Sequence, residues 1–209
     1  MPSQLGQDKF VLEKVGNEGF YVEVGASHAE HFSNSFLLDE AGWQGICVDP
    51  LINDEQYDKF GRTCKRDKRA VWTHNGTVKF TEVDFSGGVC STISEFVDLD
   101  QPYQKERQQF GREVEIPCVT LHDLLAEHGA PSYVNYLSID TEGSELDILK
   151  SYDWTWVFGI ITVEHNCHEG RDRKYLEDIT TFLRDKGYTW MREVGWDAWF
   201  VHENLQKVG

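Results

Sequence analysis

Four short stretches hold the residues whose types and spacing could do chemistry. In Glu23-Val24-Gly25-Ala26-Ser27-His28-Ala29, a glycine follows an apolar run, so the chain can turn sharply off a strand into an open loop of small residues. Asp49 lies further on, just before Pro50 and at the end of the run Gly45-Ile46-Cys47-Val48. A carboxylate at the tip of a second strand can accept both hydroxyls of a ribose, so the two stretches together favour a cofactor that contains adenosine. Neither G-x-G-x-x-G nor G-x-x-x-x-G-K-[ST] is present to cradle a chain of phosphates. S-adenosylmethionine needs no such cradle, and its sulfonium and ammonium suit an acidic pocket. The plainer alternative leaves Glu23 solvated on its strand and Asp49 capping a turn.

The third stretch, Ser138-Ile139-Asp140-Thr141-Glu142-Gly143-Ser144-Glu145, puts three carboxylates close together. They would repel one another if all faced one pocket. Asp140, still on the strand tip, is the one assigned to the site. Glu142 and Glu145 are expected to favour the positive end of the following helix. In the fourth stretch, Glu164-His165-Asn166, a neutral imidazole can take a proton from a hydroxyl. His165 is therefore the candidate base, with Asp140 beside it, while Asp140, Glu164 and Asn166 offer hard oxygen ligands for magnesium or calcium. Zinc is not expected, because His165, Cys167 and His168 have no second ligand pair, and no G-x-S-x-G elbow occurs. The tryptophans Trp154, Trp156, Trp190, Trp196 and Trp199 read as packing and hairpin residues, and Asp197 as a turn residue.

The elements that must position these stretches alternate between short apolar runs and helical patterns, the mark of a parallel sheet covered on both faces. Strands are predicted at 20–24, 45–49, 69–73, 113–119, 134–140 and 158–163, with Asn75-Gly76 as a hairpin turn into 77–80. Helices are expected after Ser33, after Thr120, at the Ser144-x-x-Asp147 start and over about 173–186. Two closing strands, 188–194 and 197–202, should pair antiparallel. This element order predicts an α/β fold with a seven-stranded, mostly parallel sheet. Residues 84–111 lose all periodicity and are expected to form a lid and acceptor loop.

At 209 residues the chain is expected to be one domain, residues 1–209. Twenty Lys and Arg against 36 Asp and Glu give a net charge of −16, which argues against nucleic acid and anionic membrane surfaces. No apolar run reaches the ~18 residues of a membrane span. Cys47, Cys64, Cys90, Cys118 and Cys167 form no C-x-x-C pair, and the amino end shows no secretory signal, so a cytoplasmic location is expected.

Gly19-Phe20-Tyr21-Val22-Glu23-Val24-Gly25-Ala26, then Ser33-Asn34-Ser35 and Gly42-Trp43-Gln44-Gly45-Ile46-Cys47-Val48-Asp49-Pro50, resemble the opening half of the FkbM-type methyltransferases. Tyr136 to Glu145 and Val163-Glu164-His165-Asn166 resemble the second half, so the likeness runs from about Gln7 to Val201. The resemblance implies a Rossmann-like class I methyltransferase that uses S-adenosylmethionine to methylate a hydroxyl, associated with sugars, glycans and polyketide-type products. It implies cofactor binding by Glu23, Gly25, Ala26, Ser27, Ser33, Asn34, Asp49 and Asp140, and catalysis by His165 and Asp140. Similarity to metal-dependent catechol-type enzymes implies magnesium at Asp140, Glu164 and Asn166. One departure is His28-Ala29, where the family has Asp-Gly. Two other readings stay open: methylation of a carboxyl or nitrogen, and a non-catalytic module whose cleft binds a partner.

Overall fold

The computed structural model describes residues 2–83, 89–98, 103–167 and 173–205. The chain begins with α1 (Gln7–Val15), β1 (Phe20–Val24), α2 (Phe36–Glu40), β2 (Gln44–Val48), α3 (Asp54–Lys59) and β3 (Lys65–Asp67). Next come β4 (Ala70–Val71), β5 (Gly76–Val83), β6 (Thr92–Ile93), a 3-10 turn at Ser94–Phe96, α4 (Gln104–Phe110) and β7 (Gly111–Val119). The last third holds α5 (Leu121–Glu127), β8 (Tyr133–Ile139), α6 (Glu145–Ser151), β9 (Val157–Glu164), α7 (Lys174–Asp185), β10 (Tyr188–Val194) and β11 (Asp197–His202).

Seven strands form one sheet in the order β10-β11-β9-β8-β1-β2-β3. From β3 through β9 the neighbours are parallel, and β11 runs against both β9 and β10. The strand order reverses between β1 and β8, and such a reversal opens a crevice beyond the strands' carboxyl ends.

Both faces are covered, and the period of two along each strand explains how. Phe20, Val22 and Val24 pack in a core with α5, α6 and α7, while Tyr21 packs in a second core with α1, α2 and α3. In β9, Ile161 belongs to the first core and Ile160 to the second, and both are fully buried. Truncating either to Ala costs about 2–5 kcal/mol. Thr120 caps α5 as its sequence promises, its Oγ1 accepting from the Asp123 amide at 3.1 Å. Ser144 does not cap α6, because its hydroxyl donates to Thr141 Oγ1 at 2.8 Å.

The region between β3 and α5 departs from expectation. The third strand of the large sheet is the polar edge strand Lys65–Asp67, not residues 69–73. Ala70–Val71 instead joins a second, four-stranded sheet in the order β4-β7-β5-β6. The Asn75-Gly76 pair makes no hairpin between its flanking strands, since β4 pairs with β7 and β5 pairs with β7 along its whole length. Within the expected lid, 84–88 and 99–102 lie outside the described residues, while α4 and β6 are ordered elements. Among the described residues no helix is long and apolar enough to cross a membrane.

Candidate active site

A cavity of about 270 Å³ opens at the carboxyl ends of β1, β2, β8 and β9. That is near the small end of the ~300–1,000 Å³ typical of small-molecule sites. Gly25, Ala26, Ser27 and His28 from the loop after β1 form one side. Asp49 and Leu51 follow from the tip of β2, and Arg69, Ala70 and Val71 from the stretch after β3. The second sheet supplies an apolar wall of Phe80 and Ile93, with Tyr103 beside it. Asp140, Glu142, Glu164 and Asn166 make the acidic end, and Phe32 and Trp196 add aromatic surface.

Gly25 is the hinge of this arrangement. Its φ is +84°, and a Cβ built on it would lie 1.7 Å from the Asp140 carbonyl oxygen. Only glycine both adopts that conformation freely and lets the two strand ends approach so closely. The approach is locked by backbone hydrogen bonds, Asp140 N to Val24 O at 3.0 Å and Gly25 N to Val48 O at 3.0 Å.

Asp49 stands on the cavity wall as the sequence places it. Its amide donates to Asp67 O at 3.0 Å, and its carboxylate accepts from the Leu51 amide at 2.7 Å and from the Ser27 amide. Burial pushes its carboxyl up, and those two amides pull it part of the way back.

Glu23, Ser33 and Asn34 do not line the cavity. Glu23 shares a sheet face with Tyr21, Ser138 and Thr162, but it lies one row below the strand tips and is covered there by residues 33–35. Glu23 is buried and accepts from Ser33 Oγ at 3.1 Å, from the Asn34 amide at 2.5 Å and from Ser35 Oγ. Arg62 closes the same network, donating to Asp39 at 2.6 Å, Ala29 O at 2.6 Å and Ser35 Oγ at 2.7 Å. These residues brace residues 29–35 behind the loop that follows β1.

His165 is also displaced from its expected role. It is buried off the cavity, its Nδ1 accepting from the Cys167 amide at 3.0 Å and its Nε2 lying 3.7 Å from Glu193 Oε1. The reason is strand alternation: Glu164 faces the cavity, so its neighbour faces away. Asn166 regains the cavity because its φ of +50° turns the chain back.

Two residues that the sequence reading set aside, Glu142 and Trp196, line the cavity. Glu142 and Gly143 both have positive φ (+62° and +124°), which folds Glu142 back over the β8 tip. Its carboxylate meets the buried Arg107 of α4 at 3.0 Å, an arginine within the stretch expected to form the lid. Trp196 lines the cavity, with its carbonyl accepting from the His165 amide at 2.8 Å. Glu145 does stay out: it accepts from the Thr141 and Gly143 amides at 2.9 and 3.0 Å and braces their turn. Asp197 is no turn residue but the buried start of β11, paired with Glu164 and accepting from Gln7 at 2.8 Å.

Electrostatically the acidic end is under load. Burial, then the charge of Asp197, raises Asp140 to about 8. Burial, then the charge of Asp140, lifts Glu164 well above the usual carboxylate range. Burial raises Asp197 to about 7. Glu164 Oε2 is buried without a hydrogen-bond partner among the described residues.

A doubly wound sheet with a glycine hinge and a carboxylate at the second strand tip, both on a cavity where the strand order reverses, has the architecture of Rossmann-like folds. Residues 23–189 match the family model of the methyltransferase FkbM domain, and the chain belongs to that family. It is a methyltransferase dependent on S-adenosylmethionine. Among solved structures, M. capricolum TrmK in complex with S-adenosyl-homocysteine is similar over 97% of this chain and 70% of its own. The identity is 12% and the TM-score 0.44, too distant to inform the chemistry. No curated protein matches the chain.

Proposed function

We propose that the protein transfers the methyl group of S-adenosylmethionine to a hydroxyl oxygen of a sugar or glycan. The observation that carries this reading is that Gly25, Asp49 and Asp140 line one cavity at the sheet's switch point. Asp49 would accept the ribose hydroxyls, and the loop of Gly25, Ala26 and Ser27 would lie along the cofactor. The acceptor oxygen attacks the methyl carbon in line with the carbon–sulfur bond, whose electrons return to sulfur. The hydroxyl's proton passes to Asp140, and much of the remaining catalysis is alignment.

A sugar fits the mixed character of the far side, where Asn166 and carboxylates offer hydrogen bonds and Phe32 and Trp196 offer flat aromatic surface. The described parts of the expected lid, through Val89, Ser91 and Tyr103, would bound the acceptor. A net charge of −16 supports a small or carbohydrate acceptor over nucleic acid. Five buried free cysteines support a reducing cytoplasm.

Calorimetry with S-adenosylhomocysteine and mass spectrometry of products from a panel of sugars test the reading. Saturable heat and a mass gain of one methyl on a sugar hydroxyl are expected. Methylation of carboxyl or amine acceptors alone would move the reaction to the other class, and no heat would leave a non-catalytic cleft.

A further inference from the structure

We propose that Asp140, Glu142 and Glu164 form a binding site for one divalent cation that takes oxygen ligands, such as manganese, calcium or magnesium. One oxygen from each residue can be chosen so that all three lie within 4.8 Å of one another. Oxygens on opposite sides of calcium stand about 4.6–5.2 Å apart and those on magnesium about 4.0–4.2 Å. The spacing therefore accepts the larger ion as it stands and the smaller after a slight inward movement.

A second observation points to a ligand independently of the clustering. Glu164 is 5% exposed and lines the cavity, and its Oε2 finds no hydrogen-bond partner among the described residues. A buried acceptor left unsatisfied costs about 1–3 kcal/mol, and more for a charged one, which a metal bond would recover. Glu142 takes the place that the sequence reading gave to Asn166, whose side chain remains on the same cavity as a further oxygen donor.

An ion there would lie at the end of the cavity assigned to the acceptor and would draw the hydroxyl oxygen towards it. A carboxylate has two oxygens, so Asp140 can hold the ion with one and still accept the hydroxyl's hydrogen bond with the other. The site needs no cofactor for its detection, so its test is separate from that of the methyl-transfer reading.

The experiment is a titration of manganese into the full chain after dialysis against chelator, with free manganese read by electron paramagnetic resonance. One manganese bound per chain is expected, displaced by calcium or magnesium. Glu164→Gln should weaken binding at least about tenfold, and Asp140→Asn should do the same, which protects the test if one variant folds poorly. Glu113→Gln, on an exposed ion pair with Lys79, should leave binding unchanged. Absence of stoichiometric binding up to millimolar metal overturns the proposal, as does wild-type affinity in both site variants. Displacement of manganese by S-adenosylhomocysteine overturns it too, because the carboxylates would then be the seat of the cofactor's amine. Binding of S-adenosylhomocysteine, followed separately by calorimetry, reports on the methyl-transfer reading alone.

Discussion

Replacing Gly25 with Ala tests the hinge on which the cavity depends. The residue has φ +84°, and an added Cβ would sit 1.7 Å from the Asp140 carbonyl oxygen and 2.7 Å from its carbon. Placing an L-residue in the left-handed region costs about 1–2 kcal/mol. The contact cannot be relieved by rotating a flexible side chain, because the obstacle is backbone. The tips of β1 and β8 must separate, at the expense of the 3.0 Å bond from Asp140 N to Val24 O, about 1 kcal/mol more. Together these set a floor of roughly 2–3 kcal/mol of destabilisation. Urea unfolding should show this as a lower midpoint, and calorimetry should show S-adenosylhomocysteine binding lost or greatly weakened, since Gly25 and Asp140 both line the cavity. A variant within about 0.5 kcal/mol of wild type that binds the cofactor product normally would refute the close-approach argument.

Other predictions follow from the same contacts. Asp49→Ala should weaken S-adenosylhomocysteine at least tenfold, about 1.4 kcal/mol, with little change in melting temperature, and unaltered calorimetric affinity would remove Asp49 from the site. His165→Ala should lower stability, measured by thermal melting, while turnover per folded molecule stays close to wild type, because the ring lies off the cavity; a large loss of turnover with an unchanged melt would restore it as a base. Asp67→Asn should show as a change in acid stability. Burial alone would raise Asp67, but the bonds from Arg69 and His128 outweigh it and hold the carboxyl at about 2 against an ordinary 3.8. A folded-state value below the unfolded one stabilises above about pH 4 and is lost as pH falls towards 2, a contribution of about 1–2 kcal/mol after solvent screening at the partly exposed Arg69. Urea midpoints of wild type and variant should therefore differ at pH 7 and draw together only as pH falls from 4 to about 2; a constant gap across that range would contradict the assignment.

The parts of the fold legible in sequence are those whose burial is two-sided. Val22, Ile46, Leu137 and Ile161 sit in runs apolar enough to announce central strands, and Gly25, Asp49 and Asp140 are read at the strand tips from those runs alone. β3 was not legible because an edge strand of Lys65, Arg66 and Asp67 has one neighbour and no need of an apolar run. The second sheet was hidden for another reason: β4 and β5 find their partner in β7, some forty residues on, and no local pattern encodes that pairing. Glu142 and Arg107 meet only through it, since α4 packs on β5 and β7.

One misplacement could have been avoided with the sequence in hand: side chains alternate along a strand, so with Glu164 in the site His165 must face the other way. Glu23 was not legible in that way, because it shares a sheet face with Ser138 and Thr162 one row below the tips, and it is kept from the crevice by the tertiary cover of residues 33–35. Trp196 is different. It follows Gly195, whose φ of +60° sets the β10–β11 turn, and its place in the cavity depends on how far β11 extends beside β9.

The most direct measurement is a crystal structure with S-adenosylhomocysteine bound. The account predicts ribose hydroxyls on the Asp49 carboxylate, the thioether beside the Gly25 loop and its sulfur open towards Asp140 and Glu164. Density for the nucleoside away from Asp49, or a sulfur turned from the carboxylates of β8 and β9, would contradict it.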